Sequence, residues 1–400
     1  LNKVWHRKED EVDSFRSKEN LNRFESIFGK TNRPPRLFQA PARINIIGEH
    51  VDYLGGIVLP AAIDFAVQVY LRPNDTSSYH LYSVTYNETV ELKKPLGPNP
   101  KSPWADYISG VISEIEKLGH TIPGFDLLVD GNIPQGSGLS SSAAFEVVTG
   151  YSINETFGLH LSREEIALIG QRAENHFVGT KCGIMDQFII AVGKQDDCIS
   201  LNTETLKYTY HHFDLGDYEF YLINSNVKHS LKDSAYNQRR SECESALVKI
   251  KAKYPNFTQL YDVNLSESEL ENCHLTKEEF KRTKHVTSER ERTKVVIDGL
   301  ESGNFKEVGS SLFQTHWSLS KEFEVSCPET DFIVDSLQSM GVTGARMIGG
   351  GFGGCVLVLD TKDHFYKIED VLKKSYQQKF NIALDFYKFQ ISDGVKEISL

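Results

Sequence analysis

The spacing of apolar positions changes character several times along the 400 residues. Phe15, Leu21, Phe24 and Phe28 recur at helical spacing within the polar stretch 1–35, predicting a helix docked on a domain and stopped by Pro34-Pro35. Residues 37–48 read as a strand that Gly48 turns into Glu49-His50-Val51-Asp52-Tyr53. Residues 57–92 are rich in Val, Ile, Tyr and Phe and predict several strands, with turns at Pro73-Asn74-Asp75 and Asn87-Glu88. After a Pro/Lys/Gly loop at 95–102, a helix opens at Trp104 and continues through Val111, Ile112 and Ile115. Phe125, Leu127 and Val129 alternate as in a strand, and Ala143 to Val148 suits a buried helix. Ser162-Arg163-Glu164-Glu165 is a capping box for a helix whose stripe is Ile166, Ile169, Ala173 and Phe177. A new strand at Phe220-Tyr221-Leu222-Ile223 follows a polar stretch, which places a domain boundary near 215 and divides the chain into 1–215 and 216–400. Residues 240–340 read as charged helices with solvated faces, 277–292 among them, and no site is expected there.

Composition narrows the class. With 40% hydrophobic and 25% charged residues the chain is an ordinary globular protein. No apolar run is long enough to span a bilayer, and the start lacks both a signal-peptide core and an initiator Met, as a trimmed start would. A formal charge of −11 argues against nucleic acid as a partner. Six cysteines are scattered without a CxxC or a metal-site spacing, so a cytoplasmic location is expected.

Four stretches carry candidate chemistry. Pro134-Gln135-Gly136-Ser137-Gly138-Leu139-Ser140-Ser141-Ser142-Ala143-Ala144 lies between the strand at 125 and the helix at 143. Glycines there let the main chain approach a ligand, and the free N–H groups of a first helical turn suit a phosphate. An ordinary Gly/Ser turn with a serine cap is the plainer reading. It is not a Walker A loop, since no lysine follows. Glu49-His50-Val51-Asp52 suits a polar loop, a metal or the hydroxyls of a sugar. Asp186 is a lone acid in the apolar run Cys182-Gly183-Ile184-Met185-Asp186-Gln187-Phe188, and Glu174 sits on the edge of an apolar helix face; each is either solvent-facing or partnered. Adjacent His211 and His212 fall on opposite faces of a strand and do not form a metal pair. Gly349-Gly350-Gly351-Phe352-Gly353-Gly354 fits Gly-x-Gly-x-x-Gly, but the residues after it read as a strand and not a helix, so it is no dinucleotide fingerprint.

The serine loop resembles the phosphate loop of the GHMP kinases, and Gly-Leu-Ser-Ser-Ser-Ala is closest to galactokinases. Ala40-Pro41-Ala42-Arg43-Ile44-Asn45-Ile46-Ile47-Gly48-Glu49-His50-Val51-Asp52-Tyr53 is similar to the galactokinase signature, and the segments at Cys182 and Gly349 resemble two further motifs of that family. The resemblance covers most of 35–360. It implies an α/β (α+β) two-domain GHMP fold with its site in the cleft between domains, and ATP-dependent phosphorylation of the anomeric hydroxyl of galactose. It further implies that Gly136, Ser137, Gly138, Leu139, Ser140, Ser141 and Ser142 cradle the ATP phosphates, with Ser83 near the nucleotide. Ser142 and Glu174 would hold Mg²⁺, while Glu49, His50, Asp52, Gly183 and Tyr236 would hold the sugar. Arg43 and Asp186 would act on the reacting hydroxyl. Trp104 and Tyr107 are either core or a platform for adenine.

The implied partners are small molecules, galactose and ATP, with no nucleic acid, no membrane and a monomeric state. An N-acetylgalactosamine kinase and a non-catalytic galactose/ATP-binding sensor of transcription are the alternatives; such sensors lose part of the serine–alanine run, which is complete here. Three positions depart from the family pattern. Ala42 replaces a usual glycine and so must avoid positive φ, Val51 replaces a frequent threonine, and Ile348 replaces the usual threonine before the glycine loop.

Overall fold

The computed structural model describes residues 11–212, 214–227 and 232–400. Three sheets form its frame. The largest has six strands in the order Lys396–Ile398, Arg36–Asn45, Pro60–Pro73, Phe125–Gly131, Tyr79–Ser83 and Glu88–Leu92. All its pairs are antiparallel except Tyr79–Ser83 with Phe125–Gly131. That parallel pair needs a crossover, which the helix Trp104–Lys117 supplies. A four-stranded antiparallel sheet runs Gly344–Met347, Cys355–Thr361, Tyr218–Asn224 and Asp385–Tyr387. A small third sheet joins Ile57–Val58, Asp197–Asn202 and Tyr208–His212.

Strand alternation distributes the cores. Phe38, Val69, Leu71, Leu127 and Val129 of the first sheet face the helices Trp104–Lys117, Ser141–Phe157 and Met185–Val192. Leu37, Tyr70 and Leu128, one position off, face Phe24 of the first helix, Glu11–Phe28. In the second sheet Tyr221, Ile223, Val356 and Val358 pack under the helices Pro328–Ser339 and Lys362–Phe380. Their neighbours Leu222, Leu357 and Leu359 join Ala42, Ile44, Leu139 and Ile348 in a shared core. The functional loops therefore rest on packed strands from two sheets.

Several sequence expectations shift. The first helix stops at Phe28, where Gly29 takes φ +78°, and not at Pro34-Pro35. Phe15 lies on this helix, but its side chain, like residues 1–10 and the Lys228-His229-Ser230 stretch, lies outside what is described. The capping box at Ser162 forms as expected, with Glu165 N–H donating to the Ser162 hydroxyl. Ala42 is buried in an extended strand beside a bulge between Pro41 and Ala42, which relieves the need for glycine. His211 is mostly buried and His212 is exposed, on opposite faces. The helix Lys277–Ser302, expected to be solvated over 277–292, instead buries Arg282, His285 and Glu289. No helix is long and apolar enough to cross a membrane among the described residues.

One contact between helix and sheet tolerates no side chain. A Cβ on Gly309, in the helix Phe305–Ser318, would lie 1.9 Å from the Thr343 carbonyl oxygen. Gly309→Ala gains about 1 kcal/mol of helix propensity, but overpacking against a backbone atom costs about 1–3 kcal/mol or more. The loss should win, and thermal unfolding of Gly309→Ala should begin several degrees below the parent.

Candidate active site

The strand Arg36–Asn45 carries the first site residues into the molecule. Arg43, 4% exposed, pairs with Asp186 through two bonds, Nε to Oδ1 at 2.7 Å and Nη2 to Oδ2 at 2.8 Å. Its Nη1 donates to the Gly138 carbonyl at 2.7 Å, and its main-chain N–H donates to Leu139. One arginine thus ties the acid to the glycine–serine loop. Asp186 stands at the start of the helix Met185–Val192, part-exposed and facing a cavity, so it is partnered rather than simply solvated.

The loop reaches the helix Ser141–Phe157 through Gly136 at φ +70°, Gly138 at φ +76° and Ser140 at φ +61°. Ser140 occupies the cap position without capping, because its hydroxyl is turned to Asp186 in a short bond. The first-turn amides are left for a ligand, and the helix dipole adds positive potential there. Ser137 is buried with its hydroxyl on the Pro134 carbonyl, so it shapes the loop.

The second glycine loop closes over the first. It joins the strands Gly344–Met347 and Cys355–Thr361, which confirms a strand after the glycines. Cys355 N–H donates to the Ser137 carbonyl at 3.0 Å. A Cβ on Gly349 would come within 2.8 Å of the Gly138 oxygen, and one on Gly354 within 2.9 Å of the Ser137 oxygen. Both glycines have positive φ, so they are required for conformation and for contact. The Val325–Pro328 segment, to which the sequence assigned no chemistry, backs this loop: Phe352 N–H donates to the Val325 carbonyl. Ile348 is buried beside Leu139 with its N–H on the Cys355 carbonyl. Val51 is buried against Gly56, so neither position leaves a hydroxyl wanting.

A cavity of about 300 Å³ is lined by Arg43, Glu49, His50, Asp52, residues 136–142, Glu174, Gly183, Asp186, Tyr236 and Ile348. The glycine at 183 is forced by contact: a Cβ would sit 1.9 Å from Asp52 Oδ2. His50 takes φ +59°, and its Nδ1 lies 2.9 Å from the Tyr53 hydroxyl. Its Nε2 is buried without a hydrogen-bond partner. Glu49 is largely engaged by the protein. Oε2 meets Arg346 at 2.7 Å and Asn45 at 2.9 Å, and Oε1 accepts Gly349 N–H at 2.8 Å.

A second cavity of about 350 Å³ adjoins it, sharing Gly136, Ser141 and Ser142. Ser83, Tyr86, Trp104, Tyr107 and Phe145 line it. Trp104 is buried yet edges this cavity, with its Nε1–H on Glu88, and Tyr86 stacks near it. Trp104 is thus at once part of the core and part of the cavity wall. Tyr86 and Phe145 were missed because nothing in their spacing sets them apart from core aromatics.

Charge in the first cavity is unbalanced. Burial, with Asp186 and Glu49 nearby, pushes Asp52 up to about 7. Burial and Asp186 push Glu174 up to about 7, against the opposite pull of the nearby Cys182 and Ser142 side chains. Gln187 Nε2 is shared between Glu174 and the buried Glu146, each at 2.9 Å. Among the described residues no lysine or arginine pairs with Glu174, and no cage of three or more metal-ligating side chains exists. A carboxylate and a hydroxyl lining the same cavity as the serine loop suit a divalent cation that brings its own ligands.

These shifts have opposite consequences for stability. Burial holds His50 down at about 3, which favours the fold above pH 6.5 and costs stability as pH falls. Asp52 has a folded value raised from 3.8 to about 7, so its contribution is fully present below pH 3.8 and is lost as pH rises through 7. Asp52→Asn removes that loss. The variant should exceed the parent at pH 8 by on the order of 2 kcal/mol, after allowance for solvent at a half-buried group, and match it near pH 4. Urea midpoints at the two pH values check this.

Comparison with known proteins adds to this geometry. The galactokinase galactose-binding signature matches residues 22–73, the GHMP kinases N terminal domain matches 106–194, and the GHMP kinases C terminal matches 296–378. The galactokinase of Thermotoga maritima is 45% identical over 361 residues, covering 90% of this chain and 99% of the relative. That of Staphylococcus saprophyticus is 41% identical over 382 residues, covering 94% and 98%. The crystal structure of Lactococcus lactis galactokinase complexed with galactose superposes with a TM-score of 0.90 at 32% identity, covering 96% of this chain and all of that one. A mevalonate kinase from Methanococcus jannaschii shares the fold at a TM-score of 0.64 and 17% identity. The chain belongs to the galactokinase family of the GHMP kinases.

Proposed function

We propose that this chain transfers the terminal phosphoryl group of ATP to the anomeric hydroxyl of galactose, giving galactose 1-phosphate. The observation that carries this reading is the meeting of two cavities at Gly136, Ser141 and Ser142, with the Arg43–Asp186 pair beside that junction. A polar cavity walled by Glu49, His50, Asp52, Gly183 and Tyr236 suits the sugar, and the aromatic cavity with Ser83 suits the base. Glu49 keeps accepting capacity on its oxygens, while His50 Nε2 offers the one unused ring nitrogen. The phosphates would lie along 136–142, over the uncapped helix start.

Phosphoryl transfer asks a protein chiefly for alignment and charge stabilisation. Arg43 and Ser140 fix both oxygens of Asp186, so the carboxylate can orient the anomeric hydroxyl and take its proton as the phosphoryl leaves ATP. Ser142 and Glu174 would hold Mg²⁺, which supplies neutralisation of phosphate charge when bound. Six unpaired thiols support a reducing, cytoplasmic setting. The intact serine run and the Asp186 pair favour a kinase over a sensor. A coupled assay with Mg-ATP and galactose, N-acetylgalactosamine or glucose tests the reading; turnover should be highest with galactose, and none with any sugar would refute it.

Two variants test the roles. Removing a general base typically lowers rate about 10²–10⁴-fold. If Asp186 takes the proton, Asp186→Asn and Asp186→Ala should both fall that far while nucleotide binding persists; an active Asn variant would leave only orientation. Glu174→Gln should raise the Mg²⁺ concentration needed for half-maximal rate, with galactose affinity kept. An unchanged Mg²⁺ requirement would remove Glu174 from the site.

A further inference from the structure

The Gly48-Glu49-His50 turn is gripped from behind by residues 240 positions away. Gly48 N–H and Glu49 N–H donate to one oxygen of Glu289, at 3.0 and 3.2 Å. The other oxygen takes Arg292 Nε–H at 2.7 Å and the Thr315 hydroxyl at 2.9 Å. His285 Nε2–H donates to the Glu49 carbonyl at 3.0 Å, so both ends of that residue's backbone are held by the helix Lys277–Ser302. Phe323 lies between the His285 and His50 rings, 4.7 and 4.9 Å from them. The turn needs such support at His50, a non-glycine residue held at φ +59°.

We propose that Glu289 is a positioning residue for galactose: its carboxylate, braced by Arg292, sets the turn that presents Glu49, His50 and Asp52 to the sugar. It touches no substrate and acts on affinity through the backbone. Full burial of its side chain makes it a costly group to keep for packing alone. Burial opposes its charge, yet Arg292, His285 and Arg346 hold it down to about 2, so it stays anionic wherever the enzyme works.

This inference rests on the galactokinase reading, and the test separates the two. Galactose and ATP kinetics, with calorimetric galactose binding, are measured for the parent, Glu289→Gln, Glu289→Ala and Leu300→Ala. Leu300 is a buried residue near the far end of the same helix and serves as a control for lost stability. Glu289→Ala should raise the galactose KM and Kd at least tenfold and leave the ATP KM within twofold. Glu289→Gln keeps one acceptor oxygen and should fall between Ala and parent, which provides the answer should Ala fail to fold. Leu300→Ala should unfold at lower temperature with parental KM values. Parental galactose affinity in both Glu289 variants, or equal losses for ATP and galactose, overturns the positioning role alone. A parent that neither binds nor phosphorylates galactose overturns the functional reading, and this inference with it.

Discussion

Arg346 and Glu49, nearly three hundred residues apart, form the contact on which the cavity depends. Arg346 is fully buried, and besides Glu49 it donates to the carbonyls of Asn45, Ile46 and Met347. One guanidinium thus joins the end of the strand Arg36–Asn45 to the strand Gly344–Met347 of the other sheet. Glu49 completes the bridge by accepting Gly349 N–H, which fixes the glycine loop against the Gly48 turn. Removing one member of such a buried pair costs about 3–5 kcal/mol, because the other charge is stranded. The same pair holds the fold together and fixes the shape of the cavity, so the two roles cannot be separated by simple deletion.

The acids around this cavity are a second constraint. Asp52, Glu174 and Glu146 are all pushed upward by burial and by the nearby Asp186, while among the described residues Arg43, paired with Asp186, is the arginine that lines the cavity. A fold optimised for stability alone would not gather so many carboxylates. They become sensible if a sugar rich in hydroxyls and a cation carried by phosphates are to be received. Hydroxyls would satisfy the carboxylates without charge, and such a cation would offset the acid beside Ser142.

How much of this was legible follows from how local each signal is. The serine loop, the Gly48 turn and the glycine loop are contiguous, and each demands residue types that few backbones require. The strand after Gly354 was enough to exclude a dinucleotide site. The pairing of Arg43 with Asp186 was foreseeable only through the family resemblance, since 143 positions separate them. The stop at Gly29 was misread because Pro34-Pro35 is the louder breaker, whereas a left-handed glycine ends a helix sooner. Glu49 illustrates a subtler limit. Its acid was visible, but not that Arg346, Asn45 and Gly349 had already claimed most of its capacity.

The helix Lys277–Ser302 shows why the rear of the site escaped notice. Sequence reading locates buried faces by apolar periodicity, and this helix buries Arg282, Thr283, His285 and Glu289 instead. Arg282 is satisfied by Glu242 and Glu324, and Glu289 by Arg292 and the Gly48 turn. A polar side chain buried with all its partners leaves no trace in a hydrophobicity pattern, because the partners come from distant segments. Front residues of a site are advertised by unusual local sequence; the residues that hold them in place are advertised only by the fold. In this chain the two sets meet at the peptide of Glu49, whose side chain faces the cavity while Glu289 and His285 hold its backbone.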